Sequence, residues 1–200
     1  MAPTADRRDP NKRLMSMSVG GGASSVLLSG ENTYQCGTVP SARCVLAEVQ
    51  GQELVFSNLD PVEGKGAEIQ RFQIHPDVDW ASGAWSLSPD GNKIAISDWM
   101  AGAELRILTL ADGKVVTLGL QGWKWCGTIA WSADGSHLFA TAGKSWESSS
   151  PLLFLDLRGN LQVLDEVPAL RFHPAASPDG RYVAYTKRTY ENNVMMLEHF

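Results

Sequence analysis

Short runs of β-forming residues, each closed off by a turn, set the pattern of this chain. Three of them follow the same kind of tetrapeptide: Lys93-Ile94-Ala95-Ile96 after Ser88-Pro89-Asp90-Gly91, His137-Leu138-Phe139-Ala140 after Ser132-Ala133-Asp134-Gly135, and Tyr182-Val183-Ala184-Tyr185 after Ser177-Pro178-Asp179-Gly180. The tetrapeptides stand 44 and 45 residues apart. A hairpin needs a turn residue that tolerates positive φ, and glycine supplies it without steric cost. Asp90, Gly91, Asp134, Gly135, Asp179 and Gly180 therefore read as structural turns, each joining two strands by a tight connection.

A second hairpin follows each of the first two. Leu105 to Leu110 returns through Asp112-Gly113 as Val115 to Leu118, and Leu152 to Leu157 returns through Arg158-Gly159-Asn160 as Leu161 to Leu164. Four strands in about 45 residues is the period of a propeller blade. A less regular copy precedes them, with strands at Tyr34–Val39, Cys44–Val49, Leu54–Leu59 and Ile69–Ile74 and with Pro40-Ser41-Ala42-Arg43 in place of the Asp-Gly turn. Arg13 to Val19 and Ser25 to Ser29 read as the last two strands of a further blade, and Asn193 to Phe200 as a third strand after the last tetrapeptide. The fold class is all-β: a β-propeller of four-stranded antiparallel blades, about three of them full and partial ones at both ends. The terminal strands either share a composite fourth blade or, as we prefer, belong to a larger propeller of which this chain is a part.

Composition narrows the partners. With 44% hydrophobic and 20% charged residues, the chain has the make-up of an ordinary globular protein. Its 22 acidic and 17 basic residues give a net charge of -5. Neither sign is gathered into a run, so nucleic acid and anionic membrane surfaces are not expected partners. No apolar stretch approaches the roughly 18 to 20 residues of a membrane span. Residues 1–11 are polar with two prolines and read as a disordered lead-in or linker remnant, leaving 12–200 for the blades. The opening MAPTADRRDPNKR lacks the hydrophobic segment of a signal peptide.

The Ser-Pro-Asp-Gly unit with its hairpin resembles the WD40-like, or PD40, repeat of TolB-type propellers, over nearly all of Lys12 to Phe200. The ending from Ser177-Pro178-Asp179-Gly180-Arg181-Tyr182-Val183-Ala184 to Asn193-Val194-Met195-Met196-Leu197-Glu198-His199-Phe200 is similar to that of propellers attached to bacterial, notably acidobacterial, serine/threonine kinase or winged-helix domains. Gly51-Gln52-Glu53-Leu54-Val55-Phe56 and Leu105-Arg106-Ile107-Leu108 are similar to the same group. The resemblance implies a portion of a larger, six-bladed ring, a sensory or interaction role, and an extracytoplasmic, periplasmic setting. No kinase or winged-helix segment is present to carry those activities over. Prolyl-oligopeptidase-like peptidases also carry such propellers, but no G-x-S-x-G nucleophile elbow occurs in this sequence.

Candidate sites sort by strand alternation, which places the loops after second and fourth strands on one face. Trp80, Trp99, Trp123, Trp125 and Trp146 map to that face and form a candidate binding surface, since tryptophan offers a large rigid area with one donor. The other reading is that these indoles plug the gaps between blades. Trp85 and Trp131, in first strands, are expected in the core. His75 and His173, each followed by proline, read as turn residues. Asp90, Asp134 and Asp179 recur in register but stand alone in their turns, without the oxygen ligands calcium requires.

Cys36 and Cys44 flank the irregular turn, so a disulfide is possible if they lie opposite each other. Two small buried hydrophobes is the preferred reading, with Cys126 left over. No metal site and no cofactor is expected. Asp98, Glu104 and Glu147 lie near the tryptophan face and could serve a propeller glycosidase, but a solvated rim explains them as well. The function expected is a non-catalytic interaction or sensory module for a protein, peptide or glycan. Its alternatives are a propeller-pocket hydrolase and a free-standing TolB-like envelope assembly protein.

Overall fold

The computed structural model describes residues 12–30, 32–75, 84–145, 150–165 and 170–188, and every regular element in them is a β-strand. Three four-stranded antiparallel sheets follow one another along the chain. Blade 1 holds β3 (Asn32–Cys36), β4 (Cys44–Gln50), β5 (Glu53–Asp60) and β6 (Gly64–Gln73). Blade 2 holds β7 (Trp85–Leu87), β8 (Lys93–Ser97), β9 (Glu104–Thr109) and β10 (Val115–Gly119). Blade 3 holds β11 (Trp125–Trp131), β12 (His137–Gly143), β13 (Leu152–Asp156) and β14 (Leu161–Asp165). Two-stranded sheets flank them, β1 (Arg13–Ser16) with β2 (Ser25–Ser29) and β15 (Leu170–Ala176) with β16 (Val183–Arg188). Among the described residues these two pairs stay separate and form no composite blade. Residues 1–11 and the strand expected at Asn193–Phe200 lie outside the described residues.

The blades stack face to face, so the middle strands bury both of their faces and read as continuous apolar runs. Ile94, Ala95 and Ile96 of β8 are all wholly buried. Their alternation sends them into different seams: Ile94 and Ile96 join Val45, Phe56 and Trp85 between blades 1 and 2, and Ala95 joins Leu105, Trp131 and Leu138 between blades 2 and 3. Leu14 and Leu28 of the β1–β2 pair cover Cys44, Leu46 and Leu59 on the other side of blade 1. Phe56 meets Phe72 and Trp85 edge-on, with ring centroids 6.1 and 5.3 Å apart.

The repeated turn is wider than the sequence suggests, and serine closes it. Ser88 N donates to Lys93 O (2.8 Å) and Gly91 N to Ser88 O (2.8 Å), which leaves Pro89 to Asn92 as a four-residue loop rather than a tight two-residue one. The Ser88 hydroxyl donates to Asp90 Oδ1 (2.5 Å) and accepts from Lys93 N (2.8 Å). Ser132 with Asp134 and Ser177 with Asp179 repeat the clamp, at 2.6 and 2.5 Å. The glycines hold φ of 71°, 68° and 69°, as a loop ending in the left-handed region requires.

Several strand limits shift for identifiable reasons. The first strand of blade 1 stops at Cys36, because Thr38 N and Val39 N both donate to Pro89 O of the neighbouring turn, at 2.8 and 3.2 Å. β1 ends at Ser16 rather than Val19, and β6 starts early, at Gly64. Cys36 and Cys44 are directly opposite in the β3–β4 register and are joined as a disulfide, with Cys36 exposed. This corrects the reading of two buried apolar thiols; the turn that docks on Pro89 brings the two Cβ atoms face to face.

Candidate functional site

The first strands of the blades, β3, β7, β11 and β15, lie next to one another in sequence order, each forming the edge of its own sheet. An edge strand carries unpaired N–H and C=O groups. Side chains from the neighbouring blade cover part of them. The Gln35 carboxamide donates from Nε2 to Trp85 O (3.0 Å) and accepts at Oε1 from Leu87 N (2.8 Å). Trp85 Nε1 donates to Thr33 Oγ1 (2.9 Å), Trp131 Nε1 to Ser86 O (2.9 Å), and the Ser97 hydroxyl to Gly127 O.

Between β7, β11 and β15 the strands part around a cleft of about 330 Å³. Ser86, Ile129, Trp131, His173 and Ala176 are among the residues lining it. His173 sits there at φ 53°, a left-handed conformation that a residue with a Cβ adopts at a cost. Its peptide N–H donates to Thr128 Oγ1 (3.0 Å), Thr128 Oγ1 lies 3.2 Å from Thr141 Oγ1, and Thr128 N donates to that same oxygen (3.0 Å). Two buried threonines of blade 3 thus hold the middle of β15, at the register shift between Phe172 and Ala175.

The rim of the cleft is a staircase of turns. A Cβ added at Gly135 would lie 3.5 Å from Pro89, and one at Gly180 would lie 3.6 Å from Ala133. The second and third turns therefore rest their glycines on the second residue of the preceding tetrapeptide, and Gly91 of the first lies against Ala42 and Arg43. The turn carboxylates are held ionised: the Ser132 hydroxyl, followed by the Ser136 side chain and backbone, brings Asp134 down to about 2. Burial acts to raise Asp90, but the Ser88 hydroxyl and Asn92 outweigh it, and Asp179 is lowered mainly by the Ser177 hydroxyl.

Of the tryptophans singled out from sequence, Trp99, Trp123 and Trp125 come to the end of the blades opposite the turns, each half-buried. Trp99 packs against the core between blades 1 and 2, and Trp123 against the core between blades 2 and 3, with Lys144 Nζ 5.3 Å from its ring centroid. Trp125 lies flat against Gly143 and donates from Nε1 to Ser145 O (3.0 Å). Trp80, Trp146 and Glu147 lie outside the described residues.

Asp98 is buried and occupied by backbone: Met100 N and Ala101 N donate to Oδ1 (3.1 Å each) and His75 N to Oδ2 (3.3 Å). Glu104 is exposed at the start of β9, and neither carboxylate lines the axial cleft. Among the described residues no three His, Cys, Asp or Glu side chains gather as a metal ion would require. Among the described residues no helix is long and apolar enough to cross a membrane. Cys126 is fully buried, which pushes its thiol up to about 12. Gln35, Ser86 and Thr128, which shape the cleft, escaped the sequence reading; Gln35 belongs to the irregular copy, where no repeated turn marks the register.

No family model and no curated protein sequence matches the chain. Solved structures do. TolB from Acinetobacter baumannii superposes with a TM-score of 0.67 at 19% identity, over 90% of this chain and 44% of that one. The fold is that of a TolB-like β-propeller. A protein from Bacteroides fragilis assigned as a 6-phosphogluconolactonase matches with a TM-score of 0.52 at 13% identity, over 86% of this chain and 56% of that one. A puromycin hydrolase matches with a TM-score of 0.52 at 20% identity, over 86% and 28%. The chain thus spans about half or less of each of these proteins, and at such identities the likeness is one of fold.

Proposed function

We propose that this chain is a non-catalytic interaction module that holds an extended peptide segment of a partner protein in its axial cleft. The observation that supports this reading is the cleft itself, built where edge strands of three successive sheets meet and lined by small and apolar residues, Trp85, Trp131 and His173. Such a lining offers main-chain hydrogen bonds and apolar surface, the two things an extended peptide uses. The resemblance to propellers attached to bacterial kinases adds a sensory setting to the proposal. The Cys36–Cys44 bridge, exposed at one edge, suits an oxidising, extracytoplasmic compartment.

Selection of a displayed random-peptide library on the chain tests the reading. Ala175 is exposed and lines the cleft, whereas Val116 is exposed on the outer strand of blade 2. Selected peptides should bind Ala175→Arg at least ten-fold more weakly than the unaltered chain and bind Val116→Arg as well as it. Equal binding to Ala175→Arg would place recognition elsewhere. Turnover of lactone or aminoacyl-amide substrates that Ala175→Arg abolishes would refute the non-catalytic part.

A further inference from the structure

One side chain of blade 1 that lines the cleft, Gln35, has only short counterparts in blades 2 and 3. Gln35 stands two residues before Gly37, whose N–H pairs with Arg43 O (3.0 Å) as Ser88 N pairs with Lys93 O and Ser132 N with His137 O. The equivalent positions are therefore Ser86 and Ala130. The registers agree: Gln35 faces Val45, Ser86 faces Ala95, and Ala130 faces Phe139, in each case across the first and second strands of a blade.

In blade 2 the residues one and three before Ser88 present Leu87 N and Trp85 O on the inner edge, where the Gln35 carboxamide bridges them. Their counterparts are Trp131 N with Ile129 O in blade 3, and Ala176 N with Pro174 O in the last pair. Because Ser132 N pairs with His137 O and Ser177 N with Tyr182 O, antiparallel alternation turns these groups away from the partner strand and toward the axis. Ser86 and Ala130 are too short to bridge them. All four residues line the cleft, and among the described residues no hydrogen bond reaches Trp131 N or Ile129 O.

We infer that the cleft recognises a primary carboxamide, the side chain of an asparagine or glutamine in the ligand, held by Trp131 N and Ile129 O as Gln35 is held by Leu87 N and Trp85 O. The inference rests on the cleft being the binding site and names the chemistry that it selects. A primary carboxamide sets a donor and an acceptor side by side. A carboxylate has no donor, and a trans secondary amide points its two groups in opposite directions. The repeating unit supplies the template, since the protein satisfies one of these edges with its own glutamine and leaves the next ones to a ligand.

The test is a titration of the 15N-labelled full chain with acetamide, acetate and N-methylacetamide, followed at backbone amides. Acetamide should shift the Trp131 amide saturably at millimolar concentrations, and the other two should not. Ser86→Gln should remove that response by filling the site from within. Gln35→Ala should create a new acetamide response at Leu87, a gain that a misfolded variant could not mimic. Equal shifts with acetate or N-methylacetamide, a Trp131 response that survives in folded Ser86→Gln, or no saturable response at all would each overturn the inference. Selected peptides that need the open cleft but tolerate replacement of every Asn and Gln by Asp and Glu would overturn it while leaving the interaction module standing. An intact acetamide response with no peptide bound would do the reverse.

Discussion

The indole N–H of Trp131 donates to the carbonyl oxygen of Ser86, 2.9 Å away across the seam between blades 2 and 3. Trp85 makes the matching reach into blade 1, but its acceptor is the half-buried hydroxyl of Thr33. The two bonds should differ in worth. A buried hydrogen bond of this kind contributes about 0.5–1.5 kcal/mol net, whereas a hydroxyl near solvent that loses its donor finds water. Trp131→Phe is expected to lower the urea midpoint more than Trp85→Phe does. Equal losses would mean that ring packing alone holds the seams.

Acid should loosen the repeated turns. Asp134 is held at about 2, against a carboxylate value of 3.8 in an unfolded chain, and Asp90 and Asp179 are shifted in the same direction. A depressed folded value contributes stability that is fully present above the unfolded value and is lost as the pH falls through the folded one. The thermal midpoint should therefore hold down to about pH 4 and fall between about 4 and 2. Asp134→Asn should flatten part of that fall. A variant with the same slope would show that other carboxylates carry it.

Gly37 is where the docked turn of blade 1 leaves no room. A Cβ there would lie 2.4 Å from the Ala42 Cβ and 2.7 Å from Pro89 O, a backbone atom that cannot swing aside. Gly37→Ala is expected to destabilise by about 1–3 kcal/mol or more, as overpacking does. Gly119→Ala meets nothing within 4 Å and serves as the control. Denaturant unfolding of the pair gives the comparison, and a neutral Gly37→Ala would contradict the docking of this turn on Pro89.

The three cysteines make the bridge countable. The folded chain should react with no aromatic disulfide reagent, because two sulfurs are bonded and Cys126 is buried with its thiol raised to about 12. Unfolding without reductant should expose one thiol, and unfolding after reduction three. Three thiols in the unreduced, unfolded chain would show that the bridge does not form.

The blades were legible because their period is written in the Asp-Gly turns, and because runs such as Ile94-Ala95-Ile96 alternate between two seams that are both apolar. The clamp by Ser88, Ser132 and Ser177 was in plain view in the tetrapeptide, but turn preferences point to the glycine and not to the hydroxyl that closes the loop. The cleft was not legible at all. It lies between first strands of different blades, and the equivalence of Gln35 with Ser86 and Ala130 along its wall needs the hydrogen-bond register. The tryptophans show a similar limit: Trp99 and Trp123 read as surface loops, yet each lays one face on a seam that only blade stacking creates.

Hydrogen exchange of the chain with and without a selected peptide tests the binding cleft most directly. Protection should concentrate at Trp131 and Ala176, on the inner edges of β11 and β15, and leave the outer strands β10 and β14 unchanged. Protection confined to the outer strands or to the loops bearing Trp99 and Trp123, with the inner edges exchanging as before, would contradict the account.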